Sequence, residues 1–475
     1  MKNSVLLWFQ YDLRIRDNAA FAAALESGCT VIPVFIWDQE SLGSWEIGSA
    51  SQVFLHGSLL SLKRSLEEHG LPLVLRTGRC EAELELLLKE TKAERVYWNR
   101  RYEPALVKRD SEIKRSLREG GVIAESFNSS LLVEPWEVTT QQGRPFQVFT
   151  PFWNRAKSVL KKEPLEVDLR SLRRPESSPE SVPLDKLGLL PDHPWGGKVA
   201  AQWEPGEGAG ERALADFLQH GLEEYEQARD IPSRTGTSRL SPYLRWGLIG
   251  PRQIWQAVEA TGMADGQGAQ VFLKEIGWRE FAYHVLYHFP HTPGAPLREK
   301  YENFPWIQDS DTLESWKGGQ TGYPIVDAGM RQLWEEGWMH NRVRMVVGSF
   351  LVKHLLHSWV DGARWFWDCL VDADLASNTL GWQWAGGCGA DAAPYFRVFN
   401  PMTQGKKFDP QGAYVRRYVP ELANLPAKYI HEPWEASEGV LAESGVRLGE
   451  NYPHPIIDHK KGRERALAAF EKVKG

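Results

Sequence analysis

Along the first 130 residues, short apolar runs alternate with stretches of mixed polarity. "VLLWF" (5–9), "VIPVFIW" (31–37), "LPLVL" (71–75), "RVYW" (95–98) and "VIAES" (122–126) are brief and rich in β-branched and aromatic residues, the composition of strands. Between them, "VFLHGSLLSLKRSLEEHG" and "AELELLLKETK" repeat apolar residues at helical spacing. Strands separated by helices predict a parallel sheet covered on both faces. From about 160 to 210, Pro, Ser, Glu and Gly dominate ("RRPESSPESVP", "WEPGEGAG"), which predicts a long surface connection. From 211 onward the period becomes helical, as in "GPRQIWQAVEAT", "AQVFLKEIGWREFAYHVLYHF", "YPIVDAGMRQLWEEGW" and "RVRMVVGSFLVKHLLHSW". We therefore expect an α/β domain over 1–130, a connecting segment over 131–210 and an all-α domain over 211–475, large enough to enclose a ligand. The terminal "KKGRERALAAFEKVKG" predicts a basic amphipathic helix docked on the surface.

A chain of 475 residues is too long for one core. It has no apolar run of about 18 residues, so no membrane span is expected. The apolar stretch of "MKNSVLLWFQYDLR" is too short and too soon charged for a signal peptide, and a cytoplasmic location is the expectation. Cys29, Cys80, Cys369 and Cys388 are scattered without metal-ligand spacing, which argues against a disulfide framework, a zinc site or an iron–sulfur cluster. A net charge of −6 does not advertise nucleic-acid binding, yet it leaves room for a local basic patch. The anomaly is tryptophan, with 21 in the chain.

Three stretches concentrate chemistry. "SRTGTSRLSPYLRWG" (233–247) packs hydroxyls, glycines and arginines at a loop-to-helix junction. It could hold phosphate, although an ordinary N-cap with a serine-rich turn accounts for it equally. "FLKEIGWREFAYH" (272–284) sets Glu275, Trp278 and Arg279 within one helical turn. They suit an aromatic ligand with polar edges, or simply an amphipathic helix. "GWMHNRVRM" (337–345) clusters His340, Asn341, Arg342 and Arg344, without a recognisable Ser-His-Asp or Cys-His arrangement. On these residues alone the reading is a two-domain protein with an aromatic-rich helical ligand pocket.

The motifs take it further. "WFQYDLRIRDNAA", "GTSRLSPYLRWG", "EIGWREF", "GYPIVDAGMRQLWEEGWMHNRVRMVV", "DADLASNTLGWQWAGGCGADAAPYFRVFNP" and "KYIHEPW" occur in this order, and the chain resembles the photolyase and cryptochrome family over nearly its whole length. The resemblance implies a Rossmann-like α/β domain for an antenna chromophore, a linker and an all-α domain binding FAD. It implies that Tyr225, Thr237, Ser238, Arg239, Leu240, Ser241, Arg279, Arg344, Asp372 and Asp374 bind FAD, and that Asn378 faces flavin N5. Trp382, Trp359 and Trp306 match the family's electron-transfer chain, while core packing accounts for most other tryptophans.

Within the family, the pocket for a cyclobutane pyrimidine dimer carries Glu, Trp, Asn, Met and Trp, matched here by Glu275, Trp278, Asn341, Met345 and Trp384. Enzymes for the (6-4) lesion carry histidines near the positions of Asn341 and Met345. Arg229, Arg342 and Arg397 match residues that hold DNA phosphates. "YWNRRYEP" and "FDPQGAYVRRYVPEL" look like the class III dimer photolyases, relatives of plant cryptochromes. Two departures concern the antenna. Gln10–Tyr11 lack the usual arginine, and Ala105 and Leu106 replace the Asn-Glu pair that contacts folate in one bacterial subclass. The resemblance thus implies light-driven repair of cyclobutane dimers in UV-damaged DNA, with methenyltetrahydrofolate expected as antenna and 8-hydroxy-deazaflavin as the alternative. A (6-4) photolyase and a blue-light photoreceptor acting through a protein partner are the competing readings. A monomer is expected.

Overall fold

The structure, a computed structural model, describes residues 3–473. The chain forms two compact units. One comprises Met1–Glu223, Ser238–Pro290 and Val371–Asp374, and the other Glu224–Thr237, His291–Leu370 and Leu375–Gly475. This division differs from the three segments expected above, because 211–223, 238–290 and 371–374 fold with the sheet rather than with the other helices.

In the first unit, β1 (Ser4–Phe9), β2 (Thr30–Trp37), β3 (Val74–Thr77), β4 (Arg95–Asn99) and β5 (Ile123–Phe127) form one sheet in the order β3-β2-β1-β4-β5. All pairs are parallel, with Leu6 opposite Ile32 and Val96, and Trp8 opposite Val34 and Trp98. Every residue of β1 is buried, because helices cover both faces. On one face Leu6, Trp8, Val34 and Trp98 pack with Cys80, Leu84 and Leu87 of the Cys80–Thr91 helix and Ile113 and Leu117 of the Pro104–Glu119 helix. On the other, Phe9 meets Phe21 edge-on at 6.4 Å. This double burial explains why the strands read as apolar runs without alternation.

After β5 the chain is mostly irregular up to the Glu207–His220 helix, broken by the short helices Phe149–Ala156 and Trp195–Ala200. The long Gln267–His288 helix completes this unit.

The second unit is helical. Among the described residues it has no strand beyond an isolated bridge between Leu448 and Tyr452. Its main elements are the helices Pro324–Glu336, Asn341–Ser349, Trp359–Cys369, Leu375–Gly386, Pro401–Phe408 and His459–Glu471, with a π turn over Phe350–His354. The continuous periodicity of 342–359 is thus broken twice, by the π turn and by Leu356, which is left-handed at φ 56°. Among the described residues no helix is long and apolar enough to cross a membrane.

Candidate functional site

In the first unit the segment Val371–Asp374 is pinned by its odd-numbered carbonyls. Trp246 Nε1 donates to the carbonyl of Val371 at 3.1 Å, and Arg245 Nε to that of Ala373 at 2.6 Å. The even-numbered carboxylates take hydroxyl donors: Ser241 Oγ donates to Asp372 at 2.6 Å, and Tyr283 Oη donates to Asp374. Asp372 and Asp374 are both buried. Each buried carboxylate thus has a hydroxyl donor, as buried polar groups require. Arg245 is itself held by Glu103. Burial alone would raise the Glu103 carboxyl, but Arg101 and Arg245 hold it down at about 2.

Ser241 opens a short helix that follows Ser238, Arg239 and Leu240. Arg239 is left-handed at φ 50°, a conformation that costs a non-glycine residue about 1–2 kcal/mol. Its guanidinium lies 4.6 Å over the ring of Trp203, and Leu240 is buried. Arg279 donates to the carbonyl of Ser130 at 2.7 Å. Beside it, burial pushes the Glu280 carboxyl up to about 7, while its Oε2 accepts from the backbone N–H of Leu132 and Val133. Glu275 and Trp278 are half-buried on the same helix. One face of the Trp278 indole is taken by Phe149, stacked at 3.8 Å and 8°. The segment expected as a plain connection therefore supplies a wall that fixes this indole.

In the second unit the Leu375–Gly386 helix sets Asn378, Trp382 and Gly386 on one face at successive turns. Asn378 is buried, and its Nδ2 donates to the carbonyl of Ala363 at 3.0 Å. With the amide nitrogen so used, Oδ1 is the end that can accept. Trp382 is buried against Phe366 at 4.9 Å and Trp316 at 6.1 Å, both edge-on. Its indole lies so close to Gly362 that any Cβ there would overlap it. Trp359, also buried, lies beside Gly386, where an added Cβ would be 3.5 Å from Trp359 Cδ1. Trp306 is half-buried against Phe304 at 4.3 Å. The next residue, Ile307, donates its N–H to the carbonyl of Leu356 at 2.8 Å, which holds this segment beside the start of the Trp359 helix.

The Asn341–Ser349 helix is capped by His340, whose Nδ1 accepts from the N–H of Arg342 at 3.2 Å. Burial lowers the pKa of His340 to about 4. Asn341 is exposed and Met345 half-buried, one turn apart. Arg342 pairs with Asp230 at 2.5 Å and lies over Phe408 at 4.5 Å. Arg344 Nε donates to the carbonyl of Met339 at 2.8 Å. Tyr225 is buried with the guanidinium of Arg229 5.3 Å over its ring, and Thr237 is half-buried. Gly236 beside it allows a close approach, since a Cβ would come within 2.5 Å of the carbonyl oxygen of Ala228. Trp384 is half-buried and meets Phe399 edge-on at 6.3 Å, and Arg397 is exposed.

Several of these contributors escaped sequence reasoning. Tyr283, Arg245 and Trp246 stand in motifs that were recognised, but nothing in their spacing tells that they pin 371–374. Phe149 and Asp230 carry no sequence signal at all.

The donor set suits FAD. In the first unit, carboxylates that can accept from ribityl hydroxyls stand beside hydroxyls that can donate to phosphate oxygens. The comparisons agree. A family model described as the FAD binding domain of DNA photolyase matches residues 272–472, and one described as DNA photolyase matches 5–170. A deoxyribodipyrimidine photo-lyase of Agrobacterium fabrum is 47% identical over 99% of this chain and 98% of its own length. Cryptochrome-1 of Arabidopsis thaliana is 39% identical over 98% of this chain and 70% of its own. The crystal structure of a class III photolyase from Agrobacterium tumefaciens superposes with a TM-score of 0.95 at 46% identity, covering 100% of this chain and 98% of that one. The chain belongs to the DNA photolyase and cryptochrome family.

Proposed function

We propose that this protein repairs cyclobutane pyrimidine dimers in DNA with light. The observation that carries the lesion choice is the face of the Asn341–Ser349 helix bearing Asn341 and Met345. Neither an amide nor a thioether donates a proton near neutrality. The adjoining imidazole, His340, is buried and held neutral down to about 4. A (6-4) lesion requires proton transfer in addition to an electron, whereas cyclobutane cleavage requires only the electron.

FAD, bound and reduced, supplies the light-driven electron that splits the cyclobutane ring and takes it back. Tyr225, Thr237, Ser238, Arg239, Leu240, Ser241, Arg279, Arg344, Asp372 and Asp374 are the residues we assign to hold it, and Asn378 accepts at N5–H. Trp278 and Trp384 stack on the pyrimidines, which are flipped from the duplex. Glu275 hydrogen-bonds a pyrimidine carbonyl when protonated, since an ionised carboxylate only accepts. Arg229, Arg342 and Arg397 meet phosphates. Trp382, Trp359 and Trp306 relay an electron inward from the surface, in keeping with two buried indoles followed by a half-buried one.

For the antenna we propose methenyltetrahydrofolate bound away from the sheet's switch point. In open parallel sheets, ligands sit at the carboxyl ends of the strands where the order reverses, here β1 and β4. The side chains at that point are buried and bonded to one another. Gln10, Tyr11, Asp12, Asn99 and Arg101 are all buried. Gln10 links Asp110 and Arg109, and Asn99 donates to Asp12 at 2.6 Å. An 8-hydroxy-deazaflavin is the alternative, and the absorbance of the extracted pigment separates the two. By function, as distinct from the compact units, we assign residues 1–130 to the antenna, 131–210 to the linker and 211–475 to FAD binding, in a cytoplasmic protein whose expected monomeric mass light scattering would test.

The likeness to a plant cryptochrome favours a second reading, a photoreceptor acting through a protein partner. Dark binding to dimer-bearing oligonucleotides by holoprotein with about one FAD per chain is expected for the enzyme, and absence of such binding for the photoreceptor.

A further inference from the structure

The π turn over Phe350–His354 continues the helix that carries Asn341, Arg342 and Met345. Such turns are rare and concentrate at functional sites. This one turns Lys353 inward, to 2% exposure. A buried ammonium is costly unless it is paired, and among the described residues Lys353 forms no ion pair. Its hydrogen bond goes to the backbone carbonyl of Arg397 at 2.8 Å, and Nζ lies 5.6 Å over the ring of Tyr395. Burial lowers its pKa to about 8.

The segment it grips is anchored on alternate residues. Tyr395 is buried, donates its hydroxyl to the carbonyl of Val352 at 3.2 Å and stacks on Phe470 at 5.5 Å. Phe396, at 55% exposure, and Arg397 stand outward between and beside these anchors. Two residues on, Phe399 meets Trp384. One buried donor thus fixes the backbone of an exposed arginine and steadies a segment touching a lesion-stacking indole. An apolar residue of equal length would fill the space at lower cost, but it would leave the Arg397 carbonyl without its partner.

We propose that Lys353 is a positioning residue for DNA binding, its side chain clamping the 394–399 segment so that Arg397 meets a phosphate of the damaged strand. This rests on the dimer-repair reading, and the test separates the two. In FAD-loaded, DNA-free Lys353→Met protein, trypsin is expected to cleave after Arg397 on the order of tenfold faster than in the native protein, because a released segment opens more often. The dark Kd for a dimer-bearing duplex is expected to weaken roughly fivefold to tenfold, with FAD content and the repair rate at saturating DNA unchanged. Arg397→Gln should weaken binding likewise, and the double variant should be no weaker than Arg397→Gln alone, because coupled residues are not additive. Lys353→Gln takes the same measurements if Lys353→Met does not accumulate with FAD.

Unchanged cleavage with unchanged Kd would overturn the proposal. So would a loss of FAD and turnover with Kd intact, which is a packing role, or fully additive effects in the double variant. If the native protein itself fails to bind the dimer duplex, the repair reading falls and the DNA role of Lys353 with it.

Discussion

Replacing Asn378 by Asp exchanges one heavy atom, nitrogen for oxygen, and tests the electrostatics of the buried amide. Asn378 is 8% exposed, and its Nδ2 donates to the carbonyl of Ala363 at 3.0 Å. An ionised carboxylate there would set oxygen against oxygen. The Asp therefore either rotates and leaves the carbonyl unpartnered, at about 1–3 kcal/mol, or stays protonated and donates. In the protonated case its pKa is raised in the fold above about 3.9 in the unfolded chain. Stability is then intact below the unfolded pKa and is lost as pH rises toward the folded one. If the folded pKa reaches 7, the loss at neutrality is roughly 4 kcal/mol. The assay is the urea midpoint of native and Asn378→Asp holoproteins from pH 4 to 8, with FAD content measured at each point. If the Asp stays protonated, the gap between them should be small at pH 4 and widen upward; if it rotates, a gap of about 1–3 kcal/mol should persist across the range. No gap at any pH would refute the account of this residue.

Other outcomes follow from the same structure. Trp382→Phe keeps the bulk but removes the easily oxidised indole, so light-driven flavin reduction with an external reductant should slow severely while chemically pre-reduced protein still repairs; equal loss of both would make Trp382 structural. Trp384→Ala should weaken dimer binding roughly tenfold or more through lost stacking, with FAD content unchanged by absorbance. Burial holds His284 and His340 at about 4 and His354 at about 3, against about 6.5 when unfolded. The unfolded chain thus takes up protons that the fold refuses, and stability should fall as pH drops from 6.5 toward 4, by up to roughly 3 kcal/mol per histidine. His340→Asn, which keeps an N-cap, should flatten that slope by one proton's worth in urea titrations.

The sheet was legible because its strands are buried on both faces and so read as unbroken apolar runs, and all five appear within a few residues of the expected places. The helical half was legible in content but not in grouping. Nothing in the periodicity of 238–290 tells that it folds with the sheet, since that depends on contacts such as Trp278 with Phe149, 129 positions away in the sequence. The π turn was invisible for a related reason. Widening one turn leaves the apolar pattern of "SFLVKHLL" almost unchanged, while Lys353, of a type ordinarily exposed, is buried. Among candidate site residues, motifs identified Asp372, Asp374 and Asn378, but their hydrogen-bond partners Ser241, Tyr283 and Ala363 come from three other elements. Such pairing is a property of the fold and has no local signature.

The most direct measurement is repair itself. Reduced holoprotein is mixed under blue light with oligonucleotides carrying either a cyclobutane dimer or a (6-4) product, each separately, and restored bases are counted by chromatography. If Asn341 and Met345 face the lesion as proposed, with His340 buried beside them, the cyclobutane dimer should be restored in the light and not in the dark, and the (6-4) product not at all. Repair of the (6-4) oligonucleotide alone would contradict the assignment, and repair of neither by fully reduced, FAD-loaded protein would shift it to the photoreceptor.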